Sequence, residues 1–157
     1  MPAPKKPIAR SEVFAGLKVA TAAFGEAADC TVKALAVVTG RSYGDCLAAL
    51  TAAGRKPRCG ATDGQIRAAA KALGFDLQYD RDFSDNMIAT YPGVHSTALK
   101  SITTHHPARF PKAWANVEPV LLFTDRHVSA FRDGGLHDWA EGRALRIKYV
   151  MRVRRIA

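Results

Sequence analysis

The sequence predicts an α+β domain, and three observations carry that expectation. The first half holds successive helical stretches, each opened by a capping residue and closed by glycine. The last third switches to short apolar runs and strict two-residue alternation. Between two of those runs stands Asp133-Gly134-Gly135, a strong hairpin signal. Helices first and an antiparallel sheet afterwards is the order expected of α+β architecture.

Residues 1–10 carry three prolines and three basic side chains and read as a flexible basic arm, leaving 11–157 as one domain. Ser11 offers an N-cap for a helix over 12–24, with Val13, Leu17 and Ala20 at helical spacing and Gly25 beyond it. Asp29 is placed to cap a helix from Cys30 to Thr39 that Gly40 closes, with Val32, Leu35, Ala36 and Thr39 as its buried stripe. Ser42-Tyr-Gly-Asp45 starts a third helix, ending near Ala53 before Gly54. Thr62-Asp-Gly-Gln65 repeats the capping signature for a fourth, closed by Gly74.

A short strand is expected over 75–79, and the polar stretch 80–96 reads as a loop. Residues 97–106 form a weaker helical pattern stopped by Pro107, and 108–117 are ambiguous. The apolar run 119–124 reads as a buried strand, 127–131 as a second, and 136–139 as its hairpin return. Over 145–154, Ile147, Tyr149, Met151 and Val153 alternate with Arg146, Lys148, Arg152 and Arg154, the pattern of a half-buried strand.

At 157 residues the chain is long enough to bury about 70% of its unfolded surface. It therefore needs neither disulfides nor a structural metal. No apolar run approaches the roughly 20 residues of a membrane span, and the basic N-terminus is followed by no signal-like apolar segment. Cys30, Cys46 and Cys59 are too far apart for a zinc pair, so no metal or other cofactor is expected, and a reducing cytoplasm is the expected compartment. The net charge of +9 is spread along the chain. It suits a solvated surface, and it also suits weak attraction of nucleic acid.

Chemistry points to three side chains. Cys30 opens a helix, where unpaired backbone N–H groups and the positive end of the dipole stabilise a thiolate, the nucleophile of acyl transfer. His127 begins a late strand and is suited to act as base and acid toward that thiol. If Asp133-Gly134 form a two-residue turn, Arg132 pairs with Gly135, and Asp138 shares a sheet face with His127, within reach to fix its tautomer. A three-residue loop sends Asp138 to the other face. His137 lies on the face opposite Asp138 in either case. Cys46 reads as core, Cys59 as an exposed thiol in a basic loop, and His95, His105 and His106 as loop or helix-end residues.

Asp29-Cys30-Thr-Val-Lys-Ala-Leu-Ala, the loop Gly54-Arg-Lys-Pro-Arg58, and His127-Val-Ser-Ala-Phe-Arg-Asp-Gly-Gly-Leu-His-Asp138-Trp together resemble the small papain-like cysteine peptidases. The nearest likeness is to the peptidase-C39-like proteins of bacteria and their phages, over residues 26–154. The resemblance implies a papain-like fold with Cys30 as nucleophile, His127 as general base and acid, and Asp138 as orienting residue. It also implies a protein or peptide substrate. One departure stands out: the residues before Cys30, Ala22 to Asp29, include no glutamine to help form an oxyanion hole. Losing one such donor costs about 10²–10³ in kcat. Two functions therefore stay open: a thiol hydrolase cleaving peptide or isopeptide bonds, and an inactive papain-like scaffold binding nucleic acid or a protein partner.

Overall fold

The computed structural model describes residues 10–90, 118–132, 135–137 and 147–156. Within them the order is α1 (Arg10–Ala23), α2 (Cys30–Thr39), α3 (Tyr43–Ala52), α4 (Asp63–Ala72), β1 (Phe75–Gln78), α5 (Arg81–Thr90), β2 (Val120–Thr124), β3 (His127–Arg132), β4 (Gly135–His137) and β5 (Tyr149–Arg155). The chain is α+β, as its patterning predicts.

The capping chemistry sets the middle helices. The Ser42 hydroxyl accepts from the Asp45 amide at 3.1 Å, satisfying one of the amides that α3 leaves unpaired. At α4 the box is complete: Thr62 accepts from the Gln65 amide while the Gln65 side chain accepts from the Thr62 amide. α2 stops at Gly40, whose φ of 69° lies in the left-handed region that a residue with a Cβ enters at a cost.

The strands form one antiparallel sheet in the order β1-β5-β2-β3-β4. Its pleat separates two faces. Leu121, Phe123, Val128, Ala130, Met151 and Val153 share one core with Val32, Leu35, Leu50 and Ile66 of the helices. Val120, Leu122, Ser129, Phe131 and Val150 lie on the other face and are also fully buried.

That second face corrects two expectations. The segment 80–96 is not all loop, because α5 occupies Arg81–Thr90. Asp80 starts it by accepting from the Phe83 amide at 3.2 Å, and Ser84 and Met87 are buried one turn apart. A single helical turn of apolar contact is too short a signal for periodicity to reveal. The last strand is half-buried, with Arg154 exposed, but the face opposite its expected apolar one is not wholly solvated: Val150 is buried there, and Arg152 stacks its guanidinium 4.1 Å over the Phe83 ring. β1 ends at the Gln78–Arg152 pair, and beyond it the Val150 amide donates to Ser84 Oγ at 2.9 Å in place of a strand partner. Residues 1–9 of the expected arm, the patterns over 97–106 and 108–117, and His95, His105 and His106 lie outside the described residues, whereas Arg10 and the expected cap Ser11 already belong to α1.

Candidate active site

Cys30 is the first residue of α2, half-buried and packed against the helix-side core. Asp29 before it does not cap the helix as expected: its side chain makes no capping hydrogen bond. The carboxylate turns to other donors, accepting from Tyr43 Oη at 2.7 Å and Thr21 Oγ1 at 2.7 Å, with Lys33 Nζ 3.1 Å away. Burial works to raise the Asp29 carboxyl, yet the bonds from Tyr43, Thr21 and Lys33 outweigh it and hold the group below its ordinary range. Burial and the facing Asp29 carboxylate push the Tyr43 hydroxyl well above the usual tyrosine range. The consequence for α2 is direct. Its first amides have no side-chain acceptor from the cap residue, and the helix start is tied to α1 through Thr21 and to α3 through Tyr43.

The loop before Cys30 is held by a residue that sequence reasoning left among solvated basic side chains. Arg55 is only 3% exposed. Its Nη2 lies 2.8 Å from Glu26 Oε1 and 3.3 Å from the Ala27 carbonyl, and Glu26 also accepts from the Arg58 amide. The loop 54–58 thereby clamps the turn that feeds Cys30, in which Ala28 has a φ of 48°. Arg55 Nε and Nη1 and Thr31 Oγ1 are buried with no hydrogen-bond partner among the described residues. Charge alone gives no sign of this burial; the glycine turn at 54, after which the Arg55 amide donates back to the Leu50 carbonyl, is the one available signal.

α2 lies along β3. Arg132, at the end of β3, donates from Nη1 to the Val37 carbonyl at 2.8 Å, and its guanidinium sits 3.1 Å from where a Cβ on Gly40 would be. Helix and strand therefore run in the same direction, and His127, which begins β3, lies toward the Cys30 end. The two residues do not share a sheet face by the pleat. His127 pairs with Thr124 and alternates with Val128, so it falls with Ser129 and Phe131 on the face away from α2.

β4 pairs Arg132 with Gly135, Phe131 with Leu136 and Ala130 with His137. Two residues separate Arg132 from Gly135, the spacing of the two-residue turn and not of the three-residue alternative. His137 consequently shares the α2-facing side of the sheet with Ala130. Asp138 lies outside the described residues.

The remaining thiols divide as expected. Cys46 is fully buried, with its thiol pushed up to about 11 by burial, and Cys59 is exposed. Among the described residues no three or more His, Cys, Asp or Glu side chains are grouped to hold a metal ion, and no helix is long and apolar enough to cross a membrane. Comparisons with protein-family models, curated proteins and solved structures found no match to this chain.

Proposed function

We propose that this protein is a thiol hydrolase of papain-like architecture, cleaving a peptide or isopeptide bond through an acyl-enzyme on Cys30. The observation that carries the reading is the start of α2. The sulfur stands at the positive end of a ten-residue helix whose cap residue leaves the first amides unclaimed, and β3, which begins at His127 and pairs with the His137-bearing β4, runs alongside. Such amides suit a developing oxyanion, and one well-placed donor is worth about 10²–10³ in kcat.

In the proposed reaction an imidazole of the hairpin takes the Cys30 proton. The sulfur attacks the carbonyl carbon, and the imidazolium protonates the departing amine as the C–N bond breaks. Water then cleaves the thioester and returns the thiol. The sequence motif points to His127 as that imidazole.

The test is trapping. Incubation with a peptide carrying a thiol-reactive electrophile in place of the scissile carbonyl is expected to give one adduct, mapped to Cys30 and absent from Cys30→Ala. Adduct on Cys59 alone contradicts the reading.

The position of His127 on the far sheet face favours a second reading, a non-catalytic basic scaffold. Under it, retention on heparin at low salt survives Cys30→Ala and no Cys30 adduct forms.

A further inference from the structure

We infer that the imidazole serving the Cys30 thiol is that of His137 on β4, with His127 on the opposite side of the sheet taking no part in the proton transfer. The inference rests on the thiol-hydrolase reading and deepens it by naming the base.

Three observations converge on His137. The first is the pleat. Val128 and Ala130 belong to the core shared with α2, so the residues alternating with them, His127 and Ser129, belong to the other face. A side chain there must cross the sheet to meet a helix packed on its far side. The second is register. Directly paired residues of antiparallel strands present their side chains on one face, and His137 is paired with Ala130. α1, which contributes Leu17 and Ala20 to the same core, packs on β4 and confirms which side of that strand is covered.

The third is level along the layer. Arg132 and Val37 fix one end through their hydrogen bond. From Val37 back to Cys30 is a helical rise of about 10 Å. From Arg132 back to Ala130 is about 7 Å of strand, and back to Val128 about 13 Å. Cys30 thus stands toward the start of β3, and β4, running back from Gly135, carries His137 in the same direction, one strand spacing, about 5 Å, to the side of Ala130. On that side of the sheet β4 packs against α1, which Thr21 ties to Asp29 at the start of α2. Among the described residues, the acidic groups beside the first turn of α2 are engaged: Asp29 with Tyr43, Thr21 and Lys33, and Glu26 with Arg55.

Proton and electrons balance as in the proposed reaction. The thiol proton moves to a ring nitrogen of His137 as the sulfur lone pair forms the C–S bond. The same proton passes to the leaving amine, and the hydrolytic water supplies the proton that restores the thiol.

The experiment measures the rate of Cys30 alkylation by iodoacetamide from pH 5 to 9, read by peptide mass mapping, in the full chain and in His137→Gln and His127→Gln. Selective loss in His137→Gln is expected: at least tenfold slower at pH 6.5, converging with the parent near pH 9, while His127→Gln keeps the parent profile. Loss in His127→Gln alone, or equal loss in both, overturns the assignment and leaves the Cys30 reading intact. Parent-like profiles in both variants overturn the assignment and the hydrolase reading together.

A second measurement needs no histidine variant to fold. In the unsubstituted protein, alkylating Cys30 is expected to shift the His137 ring Cε1–H resonance more than that of His127. A shift confined to His127, or none at either ring, contradicts the inference.

Discussion

A carboxylate next to a reactive thiol opposes a thiolate unless its charge is engaged elsewhere, and Asp29 is surrounded by Tyr43, Thr21 and Lys33. Removing it in Asp29→Ala strands the buried Tyr43 hydroxyl and takes an acceptor from the half-buried Thr21 and Lys33, so a loss of about 3 kcal/mol in unfolding free energy by urea titration is expected. The sign with pH follows from its lowered folded-state value. The stabilisation is fully present above the ordinary value of 3.8 and disappears as pH falls through the still lower folded one. Unfolding at pH 7 and pH 3 is expected to show a larger drop for the parent than for Asp29→Asn, whose side chain does not titrate. Cys46 gives a complementary case: with its thiol raised to about 11 by burial, it is expected to resist iodoacetamide at pH 7 until urea unfolds the chain, as followed by mass mapping. The core role of Cys46 was legible in the sequence, because a helical cysteine four residues before Leu50 follows the buried stripe. The roles of Asp29 and Arg55 were not. Capping propensity favours Asp at a helix start whether or not it caps, and a buried arginine looks like any surface one until its partner, Glu26, is known.

At the scale of elements, the helices were legible wherever a cap and a glycine bracket them, since those signals are local. Gly40 is one such bracket, and the structure adds why it resists substitution: φ is 69° and the Arg132 guanidinium is 3.1 Å from the would-be Cβ. Gly40→Ala is expected to cost about 1 kcal/mol or more, from the left-handed backbone alone, measured as a lower urea midpoint at unchanged slope. α5 was not legible, because its stabilising contacts are tertiary. Ser84 stands in for a missing strand at the Val150 amide, so Ser84→Ala leaves a buried donor unpaired. A loss of about 1–3 kcal/mol is expected there, whereas exposed Asp85→Ala on the same helix stays within about 0.5 kcal/mol. Equal effects of the two substitutions contradict the assigned role of Ser84.

For the whole molecule, the pattern of helices before strands gave the α+β class, while the two-sided burial of the sheet was hidden. Alternation over 145–154 marks one apolar face, and nothing local tells that α5 approaches the other. The same limit governs the site. Sequence motif places a cysteine at a helix start and a histidine at a strand start, but which face each presents depends on where helix and strand meet. Here that meeting is fixed by Arg132 and Val37. It puts Cys30 and His137 on one side of the sheet and His127 on the other. The central claim is that the α2 start makes Cys30 the activated thiol of this protein. The most direct measurement compares second-order alkylation rates of Cys30 and the exposed Cys59 in the native chain at pH 7, by mass mapping against time. The account predicts Cys30 to react at least tenfold faster despite being less exposed. Cys59 reacting at the same rate or faster contradicts it.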